Sequence, residues 1–192
     1  MAKRVFFSFH YQDVIDFRAN VVRNHWLTKP DREAAGFFDA SIWEDAKKTS
    51  SLALKRLING ELKNTTVTTV LIGSETYARR WVRYEIAKSM KKGNKLLGVH
   101  INGIKDKNRK TKSLGPNPFD YLAYQYSNDG KKLSIFEWKS GKWVKYQDLA
   151  PYPLKTIAPL RKRGICYKLS SNYPTYNWVK NDGYNNFAKW VE

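Results

Sequence analysis

The sequence predicts an α/β fold in which a mainly parallel β-sheet carries helices on both faces. Short apolar runs alternate with segments of helical periodicity from residue 4 to residue 101. Strands that alternate with helices are joined by right-handed crossovers and pair in parallel. Hydrophobic residues make up 42% of the 192-residue chain, which is sufficient for a packed core. We predict one domain over 1–192, with its core in 1–102 and a C-terminal elaboration in 103–192.

The first part of the chain contains two predicted strands and one long helix. The run RVFFSF at 4–9 is bounded by polar residues, as a buried first strand would be. Asp13 can cap the next segment, where apolar residues recur at helical spacing as far as residue 28. A polar stretch containing Pro30 follows, and GFFDASIW at 36–43 is predicted as the second strand.

The next elements continue the alternation. Ser50 or Ser51 can begin a helix whose leucines recur at helical spacing and which ends near Gly60. The run TVTTVLIGS at 66–74 is rich in β-branched residues, which is typical of a central strand. The run KLLGVHI at 95–101 is predicted as a further strand.

Between these two strands, SETYARRWVRYEIAKSMKKGNK at 74–95 is predicted as a basic amphipathic helix followed by a turn. At 100° per residue, the side chains directed to the core are Val82, Ile86, Ser89 and Met90, and those directed largely elsewhere are Arg83, Tyr84, Ala87 and Lys91. Trp81 and Glu85 are i and i+4 neighbours at the edge of this stripe. Glu85 is then either partly desolvated beside an indole or a surface residue that pairs with cations of its own helix.

The pattern changes after residue 103. The segment KKLSIFEWKSGKWVKYQDL at 131–149 alternates apolar and polar residues around Ser140-Gly141, which predicts an antiparallel hairpin. NNFAKWVE at the end predicts a short closing helix. No second domain boundary and no internal repeat is visible in the sequence.

Charge and cysteine content limit the classes of function. The net charge is +18, from 35 Lys and Arg against 17 Asp and Glu, so anions of every kind are attracted. The cations are dispersed, and the densest run, KDKNRKTK at 105–112, is predicted to be a solvated loop, which argues against nucleic-acid binding. A single cysteine, Cys166, predicts no disulfide framework, a small buried side chain and a cytoplasmic location. No apolar run is long enough to span a membrane.

The common catalytic motifs are missing from the sequence. There is no G-x-G-x-x-G loop, no P-loop and no G-x-S-x-G elbow. Three isolated histidines and one cysteine do not form the usual zinc clusters, so no metal is expected, and His100 is predicted to be a core residue with satisfied nitrogens. An enzyme with this sequence would therefore depend on little more than a carboxylate and a pocket.

One chemistry needs only those two features. Ligands of open α/β sheets bind beyond the carboxyl ends of the strands, and Glu85 follows one such end within a few residues. Cleavage of the bond between ribose and the cationic nicotinamide of NAD requires no acid on the leaving group. One carboxylate can stabilise the oxocarbenium-like ribose. We predict that Trp81 stacks on the same substrate or shields it from water.

Several segments resemble a known family. RVFFSFHYQD at 4–13 resembles the first strand and loop of TIR domains, and WVRYE at 81–85 matches the W-x-x-x-E pattern of TIR-type NADases. The order of elements is that of the flavodoxin-like TIR fold. Further segments, among them DASIWEDAKKTS, IGSETYARRWVRYEI, GPNPFDYLAYQYS and DLAPY, closely resemble the TIR-like protein of the Thoeris anti-phage defence system along essentially the whole chain.

The resemblance implies a function. Proteins of this family sense infection and convert NAD, their substrate, into a cyclic ADP-ribose isomer without a separate cofactor. The product activates a partner effector, an NADase with a sirtuin-like domain. The resemblance further implies a phage-derived trigger and self-association. Carried over to this chain, it implies the catalytic residue Glu85 and the substrate-binding residues Trp81, Phe9, His10, Tyr11, Ser74, Asp45 and Lys47.

Two alternatives and one departure remain. Many TIR NADases have arginines directly after the first strand, where this chain has His10 and Tyr11, so the phosphate-binding residues are not identified. A non-catalytic TIR-like module for protein–protein interaction would use Trp81 and Glu85 structurally. A basic nucleic-acid binder would show affinity that falls steeply with salt.

Overall fold

The computed structural model describes residues 3–37, 48 and 50–192. Two predicted site residues, Asp45 and Lys47, lie outside the described residues. The strands are β1 Lys3–Ser8, β2 Arg32–Ala35, β3 Val67–Ile72, β4 Lys95–His100, β5 Leu122–Tyr126, β6 Lys132–Lys139, β7 Lys142–Lys145, β8 Tyr152–Pro153, β9 Cys166–Lys168 and β10 Thr175–Asn177. The helices are α1 Gln12–Ile15, α2 Arg18–Leu27, α3 Ser51–Leu62, α4 Arg80–Lys92 and α5 Gly183–Val191.

A five-stranded parallel sheet forms the centre of the fold, in the order β10-β4-β3-β1-β2. The prediction of a mainly parallel sheet is confirmed, and the first four strands have the order of a flavodoxin-like sheet. All six residues of β3 are buried, because this strand pairs with β1 on one side and β4 on the other. The chain order reverses between β1 and β3, which is where such sheets bind ligands.

Helices cover both faces of this sheet, as predicted. On one face α2 and α5 pack on alternate residues of β1, with Val5 and Phe7 in the same apolar cluster as Val22 and Phe187. On the other face Phe6 packs with α3 and α4. Since successive side chains of a strand point to opposite faces, Ser8 shares the α4 side with Phe6. None of the helices within the described ranges is long and apolar enough to cross a membrane.

The C-terminal elaboration adds a second, antiparallel sheet in the order β7-β6-β5-β9, with β8 also paired to β6. Helix α4 lies between the two sheets, because Val82 and Ile86 share a cluster with residues of β3, β5 and β6. The predicted hairpin is confirmed. Its turn residues Ser140 and Gly141 have φ angles of 51° and 77°, the left-handed values that a two-residue hairpin turn requires.

The second strand was predicted in the wrong place. The strand is Arg32–Ala35, paired with the start of β1, and Gly36 and Phe37 lie beyond its end. The rest of the predicted strand, 38–43, lies outside the described residues. The sequence pattern fails here because β2 is a short edge strand, and an edge strand can carry polar residues such as Arg32 and Glu33.

Three local predictions near helices are also corrected. Asp13 does not cap a long helix: it lies inside the short α1, and α2 begins after Phe17, whose φ of 65° is left-handed. Helix α3 begins at the predicted Ser50 cap, whose hydroxyl accepts a bond from Ala53. It ends at Leu62, two residues beyond Gly60. Helix α4 begins only at Arg80, because a 3₁₀ turn occupies Thr76–Ala78.

Other side chains differ from the predicted burial. Tyr84 and Ala87, predicted to point away from the core, are buried, because α4 has protein on more than one side. Cys166 is exposed on β9. His100 Nδ1 has no hydrogen-bond partner among the described residues. The last strand of the parallel sheet, β10, comes from the elaboration and had no strand pattern in the sequence.

Candidate functional site

The loops that follow β1, β3 and β4 meet at the carboxyl edge of the parallel sheet. A Cβ atom on Gly115 would overlap the Gly73 carbonyl oxygen, so the two backbones touch. Ser74, at the end of β3, accepts a hydrogen bond from the Asn102 amide at 3.2 Å and donates to the Ser113 carbonyl at 3.4 Å. The predicted site residue Ser74 therefore joins the loop after β3 to the loop after β4.

Glu85 lies in the second turn of α4 and is only 5% exposed. The Ser8 hydroxyl donates a hydrogen bond to Glu85 Oε2 at 2.5 Å. Ser8 is the last residue of β1 and is itself buried. Helix α4 therefore places the Glu85 carboxyl group at the carboxyl end of β1, beside the point where the strand order reverses.

Burial controls the protonation of this carboxyl group. Loss of solvation raises the pKa of Glu85 from 4.5 to about 8, and the Ser8 hydrogen bond acts in the opposite direction. Glu85 is therefore mostly protonated at neutral pH. A carboxyl group whose pKa lies near the working pH is typical of catalytic sites.

Trp81 lies one helical turn before Glu85. Its ring is half-buried and packs against the cluster of Phe6, Ile58 and Tyr84, with the Tyr84 ring edge-on at 6.0 Å. The Arg80 guanidinium lies 4.8 Å from the Trp81 ring centre. The indole thus fills the space between α3, α4 and the sheet.

The β1 loop contributes side chains with different environments. Phe9 is half-buried and contacts the Phe37 ring at 4.5 Å. Tyr11 is 37% exposed. The pKa of His10 falls to about 4 because of burial first and then of the positive charges of Arg79 and Lys112. His10 is therefore neutral at pH 7 and lies in a positive field.

Asp13, which the sequence pattern assigned to a helix cap, lies at the same edge of the sheet. It is 3% exposed, and its Oδ2 has no hydrogen-bond partner in the part of the chain that the structure describes. Its carboxyl group packs on the backbone of Gly73, where a Cβ atom would overlap it. Burial raises the pKa of Asp13 to about 6, against the positive charge of Lys112. The carboxyl group of Asp13 thus lies where the loops after β1 and β3 meet. Like that of Glu85, it is a buried carboxyl group.

The basic loop at 105–112 has exposed lysines, as predicted, but a buried arginine orders it. Arg18, fully buried at the start of α2, donates to the carbonyl oxygens of Ile104 and Lys110 at 2.9 and 2.8 Å. It also forms an ion pair with Asp106 at 3.2 Å. Arg18 therefore attaches this loop to the carboxyl edge of the sheet.

Sequence reasoning proposed Glu85 and Trp81 for the site but did not propose Ser8, Asp13 or Arg79, which the structure places near them or near the neighbouring loops. Strand alternation places Ser8 on the side of Phe6, and this signal was available in the sequence. The hydrogen bond between Ser8 and Glu85, 77 positions later, could not be predicted from the sequence. Arg79 ends the 3₁₀ turn before α4 and forms an ion pair with Glu75.

Comparison with known proteins identifies the family. Residues 6–106 match the family model described as Thoeris protein ThsB, TIR-like domain. The chain is 69% identical over 191 residues to a protein of Bacillus cereus (strain MSX-D12) named "Putative cyclic ADP-D-ribose synthase ThsB1", with 100% of both chains covered. This confirms the resemblance and the TIR-like α/β fold. The chain belongs to the Thoeris ThsB family of TIR-like proteins.

Proposed function

We propose that this protein is an NAD-consuming signalling enzyme of anti-phage defence, which cleaves NAD and cyclises the ADP-ribose. The observation that carries the proposal is Glu85, buried at the strand-order reversal and hydrogen-bonded to Ser8. The name of the 69% identical relative supports the cyclic product. The chemistry needs one ionisable carboxyl group in a shielded place, and Glu85 is such a group.

The proposed reaction begins at the bond between nicotinamide and C1′ of the ribose. Nicotinamide leaves as a neutral molecule with the bonding electron pair, and positive charge develops on the ribose. Ionised Glu85 stabilises that charge, and Trp81 beside it excludes water. A nucleophilic atom of the same ADP-ribose then attacks C1′ and releases its proton, which closes the ring.

Cations at the edge of the site supply the phosphate contacts in this proposal. Arg79 and Lys112 are near enough to His10 to lower its pKa. Both side chains reach solvent, and each has an acidic neighbour, Glu75 for Arg79 and Asp16 for Lys112. A pyrophosphate group would compete with these carboxylates, since arginine binds phosphate oxygens through two parallel bonds.

Arg79→Gln is expected to raise the KM for NAD about tenfold, equivalent to about 1.4 kcal/mol of binding free energy. The kcat should change less than threefold, because the guanidinium is proposed to bind the phosphates and not the ribose. Steady-state kinetics at pH 8 measure both values. Lys180→Gln, on a loop remote from these residues in sequence and exposed, is the control. An unchanged KM would exclude Arg79 as a phosphate ligand.

Ser8→Ala tests the hydrogen bond to the carboxyl group. Ser8 stabilises the ionised form, so its loss should raise the pKa of Glu85 further and lower kcat about tenfold at pH 7.5. Ser89→Ala is a matched control. Ser89 is buried on α4, the helix that carries Glu85, and its hydroxyl shares a 2.8 Å hydrogen bond with Thr68. Equal losses of kcat in both variants would show that the effect is a general one of stability.

The buried, protonated state of Glu85 corresponds to a resting enzyme in this proposal. Substrate must reach a carboxyl group that is 5% exposed, so the groups around it have to move before turnover. A phage-derived trigger would favour the open form, with self-association as one route. The cyclic product would then activate the effector NADase with a sirtuin-like domain.

The test uses lysates of cells that express the protein, with and without phage infection. Small molecules are separated by filtration, and mass spectrometry detects a species with the mass of cyclic ADP-ribose. The species should appear on infection with the native protein and be absent with Glu85→Gln. Glu75→Gln is the control, because Glu75 is an exposed residue ten positions earlier. Protection of infected cells without this species would overturn the enzyme proposal and favour the interaction module.

A further inference from the structure

Two acidic residues of the C-terminal elaboration pair with cations in the first turn of α4. Asp148 binds the Arg80 guanidinium through two bonds of 2.8 and 2.7 Å and also pairs with Lys55 of α3 at 2.9 Å. Glu137 of β6 pairs with Arg83 at 2.7 Å. We call these two sets of ion pairs the helix clamp. It joins the C-terminal elaboration to the helix that carries Glu85.

The two halves of the clamp differ in strength. The side chains of Arg83 and Glu137 are 14% and 16% exposed, whereas that of Arg80 is 57% exposed. Exposed pairs contribute little because water screens them, and removing one member of a buried pair leaves an uncompensated charge. Asp148 is itself 13% exposed, but its partners Arg80 and Lys55 are more exposed, so the Glu137–Arg83 pair is the half of the clamp in which both side chains are largely buried. The Arg83 Nε also donates to the Tyr77 carbonyl at 3.1 Å, which fixes the guanidinium.

The position of the clamp around the helix determines what it can do. Residues two apart on an α-helix are separated by 200°, so Glu85 lies nearly opposite Arg83. Glu137 pairs with Arg83 on one side of α4, and on the opposite side the Ser8 hydroxyl donates a hydrogen bond to Glu85. Val82 and Ile86 occupy the apolar surface between the sheets. The rotation of α4, and with it the placement of the Glu85 carboxyl, therefore depends on both contacts.

The segment that carries Asp148 also attaches through Tyr146, whose N–H donates to the Ile135 carbonyl at 2.9 Å and whose ring lies in the apolar cluster of Val82 and Ile86. Residues 146–151 connect β7 to β8, which both pair with β6, and the segment arches over a cavity of about 250 Å³ beside Ser134 and Ile135. Tyr146, buried at the start of this arch, has a hydroxyl without a hydrogen-bond partner among the described residues. Because one side of the arch faces a cavity, the ion pairs of Asp148 are an important part of its contact with the helices.

We propose that Glu137 and Asp148 are positioning residues for Glu85, and that through them the antiparallel sheet controls how deeply the carboxyl group at the edge of the parallel sheet is buried. Glu137 acts through Arg83, and Asp148 acts through Arg80. The catalytic part of this inference rests on the proposed function. The structural part, that the clamp determines the hydration of Glu85, does not.

The first experiment measures the hydration of Glu85 without any enzymatic assay. The native protein, Glu85→Gln, Glu137→Gln and the double variant are unfolded with urea between pH 5 and pH 9. In each background, the free energy of unfolding with Glu85 minus that with Glu85→Gln reports the titration of Glu85, because the contributions of all other groups cancel. The pH at which this difference levels off should fall by at least one unit when Glu137 is replaced, because water reaches the carboxyl group.

Asp148→Asn and Asp129→Asn complete this experiment. Asp148→Asn breaks the more exposed half of the clamp and should give a smaller shift in the same direction. Asp129 is an acidic residue of the turn before β6 that bonds only locally, to Ser127 and Lys131, so its replacement should give no shift. Titration of Glu85 that is the same in all four backgrounds would overturn the inference.

The second experiment measures turnover of NAD. Glu137→Gln should lower kcat at least tenfold, leave KM within twofold, and move the acid limb of the pH profile by the same amount as the titration. Glu137→Asp, which keeps the charge, should restore part of kcat. Loss of stability alone would lower the active fraction without moving the acid limb. A shift in titration in proteins that consume no NAD even after purification from phage-infected cells would refute the proposed function and leave the positioning role intact.

Discussion

Glu85→Gln is expected to lower the rate of NAD turnover by a factor of at least about 10³, equivalent to about 4 kcal/mol of transition-state stabilisation. The amide has the shape of the carboxyl group and can still accept the Ser8 hydrogen bond. It carries no negative charge, however, and so does not stabilise the positive charge that develops on the ribose. The burial that makes this charge costly to form in the resting protein also makes it effective in the transition state, since little water screens it. The rate is measured as nicotinamide release at pH 8.5, where most of Glu85 is ionised, by protein purified from phage-infected cells.

The control for this experiment is Glu75→Gln, which removes an exposed carboxylate that pairs with Arg79. Its rate should stay within threefold of the native rate. Circular dichroism and the unfolding midpoint establish that both variants are folded. Equal rates for the native protein and Glu85→Gln would exclude Glu85 as the catalytic carboxylate.

The second large effect concerns stability as a function of pH. Because the pKa of Glu85 is raised from 4.5 to about 8 in the folded protein, the folded state keeps a proton that the unfolded state has lost. The contribution to stability is therefore fully present below pH 4.5 and is lost as the pH rises to about 8. The native protein should lose about 1.4 kcal/mol per pH unit relative to Glu85→Gln, and roughly 4 kcal/mol across the whole window.

Urea unfolding at intervals of one pH unit measures this difference. Asp13, whose pKa is also raised by burial, to about 6, titrates in the same range but is present in both proteins and cancels. His10, with its lowered pKa, cancels as well. Stability curves that run parallel from pH 5 to pH 9 would contradict the burial of an unpaired Glu85 carboxyl group.

Several elements followed from local physics, and the sequence predicted them correctly. Strand β3 is rich in β-branched residues and is buried on both faces, as a central strand of a covered sheet is. The hairpin of β6 and β7 depends on Ser140 and Gly141, whose left-handed backbone is a property of the turn itself. The Ser50 cap is equally local. Each of these signals lies within a few residues of the element it determines.

The failed predictions have a common cause, which is that distant parts of the chain decide them. Strand β2 is polar and short, and it exists because the start of β1 supplies its partner. Strand β10 is completed by pairing with β4, 77 positions earlier at the register Thr175–Gly98. Tyr84 is buried because α3 packs on α4, and Cys166 is exposed because β9 is an edge strand. No periodicity in the sequence contains this information.

The sequence by itself determined the parallel α/β core, the place of Trp81 and Glu85 one turn apart on a helix after a central strand, and the resemblance to the family. Only the tertiary structure decided how that carboxyl group behaves. Ser8 reaches Glu85 across 77 positions, and Glu137 reaches Arg83 across 54. Spacing sets which side of a helix a residue occupies, but burial and hydrogen bonding depend on what the rest of the chain places there, and these set the pKa of Glu85.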